Sequence, residues 1–554
     1  MASAKQAMRK GSHRRSRGAD FAALGGQRPA HALALVAVLL GLLARGASLS
    51  RAPRYSYTWD HIDFLAWSAY ASAHGATEIY AFDNHDQAVA YLVQNKLGQP
   101  VPALMGVPHT CNYPPLSTWV FAAQGWLWRL LQSELTDDEL KPLVGGRVPE
   151  PHLVSRRLLN THTARFVGAL PSILCDFLLA WGVARLVRAL RTSRSLDDSR
   201  DTRPSWQHVP GGPRAERKAA PQSSATLHET AAFALVLLAP PIVLDSSFWN
   251  QADAWVAAPL VWCLYFVLQR RFIAAGLIFG LALLIKPQAL LLMPVFLFAS
   301  LALRFMPGGG WKDMLGPVKL GVVAAVVALA VALPHSLATS KLALRPGEQG
   351  WHNLLWFKRS YLQTAFGDLY PRVTLNAFNI WWFSYAAPTA SRASGRLTER
   401  EWLDAIDPKQ PAFRLGHLMV TRDAFGNLLL AASVVLTWIL CARKLRWGPE
   451  GWVACAFLVM LAVFLLPTRV HERYIYFCLP FLIALAVYRR VWLTPLTILV
   501  LVGTFEMTSF RWVDSHNLAD EATRTFANVL AMLAVVALAW SYAVLLLPQR
   551  RGRV

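Results

Sequence analysis

Charge is scarce in this chain, and negative charge is scarcer still. Only 16% of its 554 residues are Asp, Glu, Lys or Arg, and the 33 acids face 55 lysines and arginines, for a formal charge of +22. With 55% hydrophobic residues and a mean hydropathy of +0.33, that composition excludes an ordinary soluble globule. Cysteine is also sparse. Five of the six (Cys175, Cys263, Cys441, Cys455, Cys478) fall in or beside apolar runs, and only Cys111 lies in a polar loop. This excludes a disulfide framework and the close ligand spacing of a zinc site. No Asn-x-Ser/Thr sequon occurs. No internal repeat is evident, which weighs against a transporter built from inverted halves. No nucleic-acid-binding motif accompanies the basic charge, so nucleic acid is not an expected partner. The Lys/Arg excess is read as cytoplasmic loops beside anionic membrane lipids.

What the chain has is long apolar runs, such as 32–49, 231–242 and 529–547. They predict an all-α polytopic membrane protein of about 12 transmembrane helices. The spans are expected at about 32–48, 166–188, 230–246, 254–270, 272–286, 288–305, 317–334, 425–441, 451–467, 474–488, 492–509 and 526–547. Residues 1–31, with Arg9, Lys10, Arg14, Arg15, Arg17 and Arg28, read as a basic cytoplasmic tail before a retained signal anchor. The basic block in 188–218 must lie on the same side, so an even number of spans separates the two. The apolar stretch 116–131 then lies flat on the outside or forms a re-entrant helix. Later inside loops carry Arg270, Arg271, Lys312, Arg443, Lys444, Arg489 and Arg490, and the tail carries Arg550, Arg551 and Arg553. The resulting organisation is a transmembrane region at 32–490, then C-terminal helices and a basic tail at 491–554. Outside loops at 49–165 and 335–424 carry amphipathic helices, and the low-complexity inside loop 192–228 reads as mobile.

With that topology the polar motifs at the span ends emerge on one face. They are Asp60, His61 and Asp63 after the first span, Asn250-Gln251-Ala252-Asp253, Lys286-Pro287-Gln288, and Val470-His471-Glu472-Arg473-Tyr474. The loop motif Asn376-Ala377-Phe378-Asn379-Ile380-Trp381 joins them. Acids, bases and cations gathered on one face mark a site at the membrane surface. Asp60 opens the pattern Asp60-x-x-x-Phe64-x-x-Trp67, which puts the three on one helix face. It reads as a general base or as a solvated loop acid, and Asp63, one turn away, can share its proton or its partner. Lys286, placed by the helix-breaking Pro287, pairs with a lipid phosphate or snorkels to the headgroups. Arg473 can grip a phosphate bidentately, and His471 assists it or caps a span. Gln251 and Asp253 hydrogen-bond sugar hydroxyls or cap the helix that follows. Trp381 and Trp382 stack on a sugar or sit at the bilayer interface. Asp176, in mid-span, is expected to find an internal partner.

In their order these motifs, with Tyr113-Pro114-Pro115-Leu116 and the span holding Asp176, resemble the GT-C class of membrane glycosyltransferases. The similarity covers roughly 30–490. It is to the endoplasmic reticulum glucosyltransferases that extend the lipid-linked N-glycan precursor, to the GPI mannosyltransferases, and to bacterial relatives with Asn-Ala-Phe-Asn-x-Trp and His-Glu-Arg-Tyr. The family has Asp before Tyr-Pro-Pro, where this chain has Asn112. The resemblance implies an inverting hexosyltransferase that uses a polyprenyl-phosphate-linked sugar, mannose or glucose, and a glycan, lipid or protein acceptor. It implies that Asp60 is the catalytic base. Arg473, His471 and Lys286 are then expected on the donor phosphate. Asp63, Tyr113, Gln251, Asp253, Asn376, Asn379, Trp381 and Glu472 are expected to line the substrates. The acids lack the spacing of metal-using relatives, so no metal or other cofactor is expected. A bacterial inner membrane is favoured over the endoplasmic reticulum, and a polytopic transporter or flippase is the alternative.

Overall fold

The computed structural model describes residues 2–56, 59–81, 111–131, 160–200, 222–305, 310–340, 348–363, 372–445, 448–509, 518 and 520–547. The described chain is almost wholly helical. In order come α1 (Ala2–Tyr55), α2 (Trp59–His74), α3 (Pro115–Leu131), α4 (His162–Arg200) and α5 (Gln222–Leu238). Then follow α6 (Asp253–Leu268), α7 (Phe272–Leu283), α8 (Met293–Phe305), α9 (Leu315–Thr339), α10 (Trp382–Ala393) and α11 (Glu399–Ile406). The last five are α12 (Arg422–Leu445), α13 (Pro449–Leu465), α14 (Leu479–Tyr488), α15 (Leu493–Ser509) and α16 (Glu521–Leu546). Among the described residues, seven helices are long and apolar enough to cross a membrane, or eight if the bent pair Thr226–Leu238 and Pro240–Phe248 is one span. The chain is an integral membrane protein.

All twelve expected runs fall on helix, but α6, α7, α13 and α14 are short. At 1.5 Å per residue the 12 residues of α7 extend about 18 Å, against about 30 Å of hydrocarbon. Turns at Gln269–Arg271 and at Leu284–Lys286 end α6 and α7. Helix α1 runs from Ala2 to Tyr55, and its apolar part begins at Pro29. Residues 201–221 of the basic loop lie outside the described residues, and helix occupies the rest of 192–228.

Outward faces carry the apolar side chains. On α9 an exposed stripe runs through Leu315, Val318, Val322, Val326, Leu329, Leu333 and Leu337, the three- and four-residue spacing of one helix face. Polar groups turn inward. Arg45 of α1 binds Asp176 of α4 through Nε at 3.1 Å and Nη2 at 2.6 Å. Tyr476 donates to the other carboxylate oxygen at 3.0 Å, and Arg45 Nη1 also donates to Leu237 O at 2.9 Å. Asp176 thus has the internal partner its mid-span position demands.

Tight helix contacts rest on glycine. A Cβ on Gly125 of α3 would lie 1.9 Å from the Ser68 carbonyl oxygen of α2. Gly276 and Gly280 of α7 likewise leave room for the Leu320 and Ala324 carbonyls of α9. The stretch expected to lie flat or re-enter is helix α3, with Ser117, Thr118, Phe121, Gln124 and Trp128 inward and Trp119, Trp126, Leu130 and Leu131 outward.

Among the described residues, most of the strand lies in the stretch 335–424. β1 (Thr374–Leu375) pairs in parallel with β4 (Val470–His471), and β2 (Pro411–Leu415) pairs antiparallel with β3 (Leu418–Thr421). The short β1–β4 ladder ties the Asn-Ala-Phe-Asn loop to the His-Glu-Arg segment.

Candidate active site

Asp60 lies in the first turn of α2, where a helix N-terminus favours a carboxylate. Phe64 and Trp67 pack below it against Tyr113 and Phe121, with ring centroids 5.3–5.8 Å apart. Asp253 opens α6 and is fully buried. Lys286 sits in extended backbone between α7 and the 3-10 turn Pro287–Leu292. Arg473 lies in the 3-10 turn Glu472–Phe477 that follows β4.

These distant stretches meet. Arg473 Nη1 is 3.1 Å from Asp60 Oδ2, and its Nε is 3.3 Å from Asp253 Oδ2. Lys286 Nζ pairs with Asp253 Oδ1 and lies 5.7 Å from the centre of the Tyr113 ring. Gln251 donates through Nε2 to Asp60 Oδ2 at 2.9 Å. Glu472 Oε1 is 3.7 Å from Arg473 Nη1, and His471 Nδ1 is 3.9 Å from Glu472 Oε2. Lys286 is 4% exposed, so it does not snorkel; its charge is spent on Asp253.

The electrostatics follow from burial among like and unlike charges. Burial pushes the Glu472 carboxyl up to about 7, helped by Asp60 and Asp253 and opposed by Arg473. Burial works against the Arg473 charge, but Asp60, Asp253 and Glu472 together hold its pKa above the ordinary value. Burial, with Arg473 and Lys286 nearby, drives His471 well below its usual range, so the imidazole is neutral. Burial raises the Tyr113 phenol.

The scaffold around the cluster is specific. Asn376 takes a left-handed φ of 62° and bridges to His471, a conformation Asn tolerates better than most residues. Asn379 Oδ1 accepts from Trp381 N at 3.0 Å. The Trp381 indole donates to Leu466 O at 2.8 Å, and Trp382 donates to Asn528 Oδ1 at 3.2 Å. Both indoles are buried. Asn379 and Trp381 thus act as placed by holding the loop. Tyr113 is held in turn, since Tyr80 Oη donates to its carbonyl at 2.6 Å and Arg359 Nη1 donates to Tyr80 O at 2.8 Å. Asp63 is buried one turn from Asp60 and bears on the Cys111 thiol.

Several site neighbours escaped sequence reasoning. Asp245 is fully buried and within electrostatic reach of Asp253, Lys286 and Arg473; its signal was an acid eight residues before Asp253 at the end of an apolar run. Gln288 and Tyr474, both within the motifs named from sequence, are joined by a bond that was not: the Gln288 amide donates to Tyr474 Oη at 2.6 Å. Glu506 of α15 accepts from Phe378 N at 2.6 Å, which ties this C-terminal helix to the Asn-Ala-Phe-Asn loop. Arg45 also went unread; its signal was a lone charge within an apolar run.

Among the described residues, no group of three or more His, Cys, Asp and Glu side chains is placed to hold a metal ion. No protein-family model matches the chain, and no curated protein matches it. What fold and site define is an integral membrane protein with a partly open ionic cluster of two cations and several carboxylates.

Proposed function

We propose that the protein is an inverting hexosyltransferase of the GT-C type, with twelve crossings and both ends in the cytoplasm. It takes mannose or glucose from a polyprenyl phosphate and passes it to a glycan, lipid or protein acceptor on the non-cytoplasmic side of a membrane, most simply a bacterial inner membrane. The observation that carries this reading is the 3.1 Å approach of Arg473 to Asp60, with Lys286 joined through Asp253. An acid that can take a proton thus stands beside two cations that can hold a phosphate.

In the reaction, Asp60 accepts the proton of the acceptor hydroxyl. That oxygen attacks the anomeric carbon from the face opposite the phosphate, so the configuration inverts. The bond from the anomeric carbon to the phosphate oxygen breaks, its electron pair stays on that oxygen, and polyprenyl phosphate leaves. Arg473 and Lys286 stabilise the charge that develops there, and neutral His471 adds a hydrogen bond. Gln251 holds Asp60 through Oδ2, which leaves Oδ1 for the acceptor. Tyr113, Asp253 and Glu472 line or orient the pocket, while Asn376, Asn379 and Trp381 fix the loop that carries it.

Asp60→Asn should abolish sugar release from tritiated polyprenyl-phosphate-mannose or -glucose in membrane extracts and leave the protein monodisperse. Retained turnover would remove Asp60 from the base role.

The transporter reading keeps one specific support, the 52° bend between Thr226–Leu238 and Pro240–Phe248, since broken helices line transport paths. Uptake of lipid-linked sugar into vesicles without covalent transfer would favour it.

A further inference from the structure

Arg473 is enclosed by three acids, and they are not equally able to leave. The side chains of Asp253 and Glu472 are 0% and 5% exposed, whereas that of Asp60 is 26% exposed. Moving Asp253 would strand Lys286 and bury an unpaired charge. Glu472, at 3.7 Å, is beyond hydrogen-bond distance. Asp60 opens to solvent, and the Gln251 amide, 2.9 Å away, still holds it when Arg473 lets go. The guanidinium stands within ion-pair distance of all three carboxylates, yet none of them meets its buried Nε in hydrogen-bond geometry.

We propose that Asp60 is the resident anion of Arg473's phosphate site, displaced when a polyprenyl phosphate binds. The inference rests on the reading of Arg473 as the phosphate holder. A phosphate prefers the forked edge of a guanidinium, and Asp60 occupies the Nη1 end of Arg473. Carboxylate and phosphate therefore compete for one cation. Donor binding turns Asp60 from a counter-ion into a group free to face the acceptor, so the donor binds first. Without donor, the charge of the base stays engaged by Arg473 through Oδ2.

The competition makes a prediction opposite to that for an ordinary binding residue. The full-length protein in nanodiscs is titrated with tritiated undecaprenyl phosphate. Asp60→Asn and Asp60→Ser should bind it about tenfold more tightly than the unmodified protein, or about 1.4 kcal/mol. The serine variant guards against an asparagine amide that itself perturbs Arg473 and against failure of the first variant to fold. Arg473→Met should bind at least about tenfold more weakly. If Arg473→Met weakens binding while both Asp60 variants bind equally or less well, the displacement is wrong and the phosphate site stands. If the unmodified protein does not bind the lipid, or Arg473→Met leaves binding unchanged, both readings fall.

Discussion

Replacing Glu472 with Gln removes one buried carboxylate and keeps its shape, and the resulting change in stability should depend on pH within a defined window. Burial, above all, raises the Glu472 carboxyl from an ordinary 4.5 to about 7. At about 1.4 kcal/mol per tenfold difference in proton affinity, that gap is worth about 3 kcal/mol. The sign follows from proton counting. Between pH 4.5 and 7 the folded protein keeps a proton that the unfolded chain has lost, so the contribution is complete below 4.5, falls as pH rises, and is gone above 7. His471 opposes it: held neutral by burial and by Arg473 and Lys286, it loses stability as pH falls below about 6.5. The unmodified protein alone therefore shows a muted profile, and its difference from Glu472→Gln isolates the carboxyl. Unfolding by dodecyl sulfate in mixed micelles, followed by tryptophan fluorescence from pH 4.5 to 8.5, gives that difference. It should shift by about 3 kcal/mol against the native protein up to pH 7 and then stay flat. A difference independent of pH, or one that grows in the native protein's favour, would refute the account of the cluster's charges.

Three further perturbations probe the scaffold. Arg45→Met should cost about 3–5 kcal/mol by stranding Asp176, whereas Arg45→Met with Asp176→Leu should recover most of the loss; equal losses in single and double variants, in the same unfolding assay, would contradict the pairing. Gly125→Ala places a methyl 1.9 Å from a backbone oxygen that cannot swing aside, so α2 and α3 must part at a cost of about 1–3 kcal/mol or more. Gly321→Ala, with nothing within 4 Å, should be neutral or slightly stabilising by helix propensity.

The long apolar runs were legible as helices because hydropathy and helical spacing are local properties. The break at Lys286-Pro287 was legible because proline cannot donate and clashes with the preceding turn. The pattern Asp60-x-x-x-Phe64-x-x-Trp67 gave the right helix face, since side-chain direction follows from position along the helix. The need of Asp176 for an internal partner was likewise visible from the cost of a charge in hydrocarbon.

Partner choice was not legible. Nothing in the sequence says that Asp253 takes both Lys286 and Arg473, that Arg45 answers Asp176, or that Asp245 lies near the same cations. Those pairings depend on how helices far apart in the chain cross, and small glycine contacts such as Gly125 on Ser68 set the crossing. Trp381 shows the same limit from the other side: its amphipathic ring fits an interface or a sugar, and only the fold, by offering the Leu466 carbonyl in a buried turn, decided where it went. Composition and period therefore determined that this is a helical membrane protein with ionisable groups at its span ends. Three-dimensional packing decided which of those groups neutralise one another, because the energy of a buried charge is set by the neighbours brought to it and not by its own place in the chain.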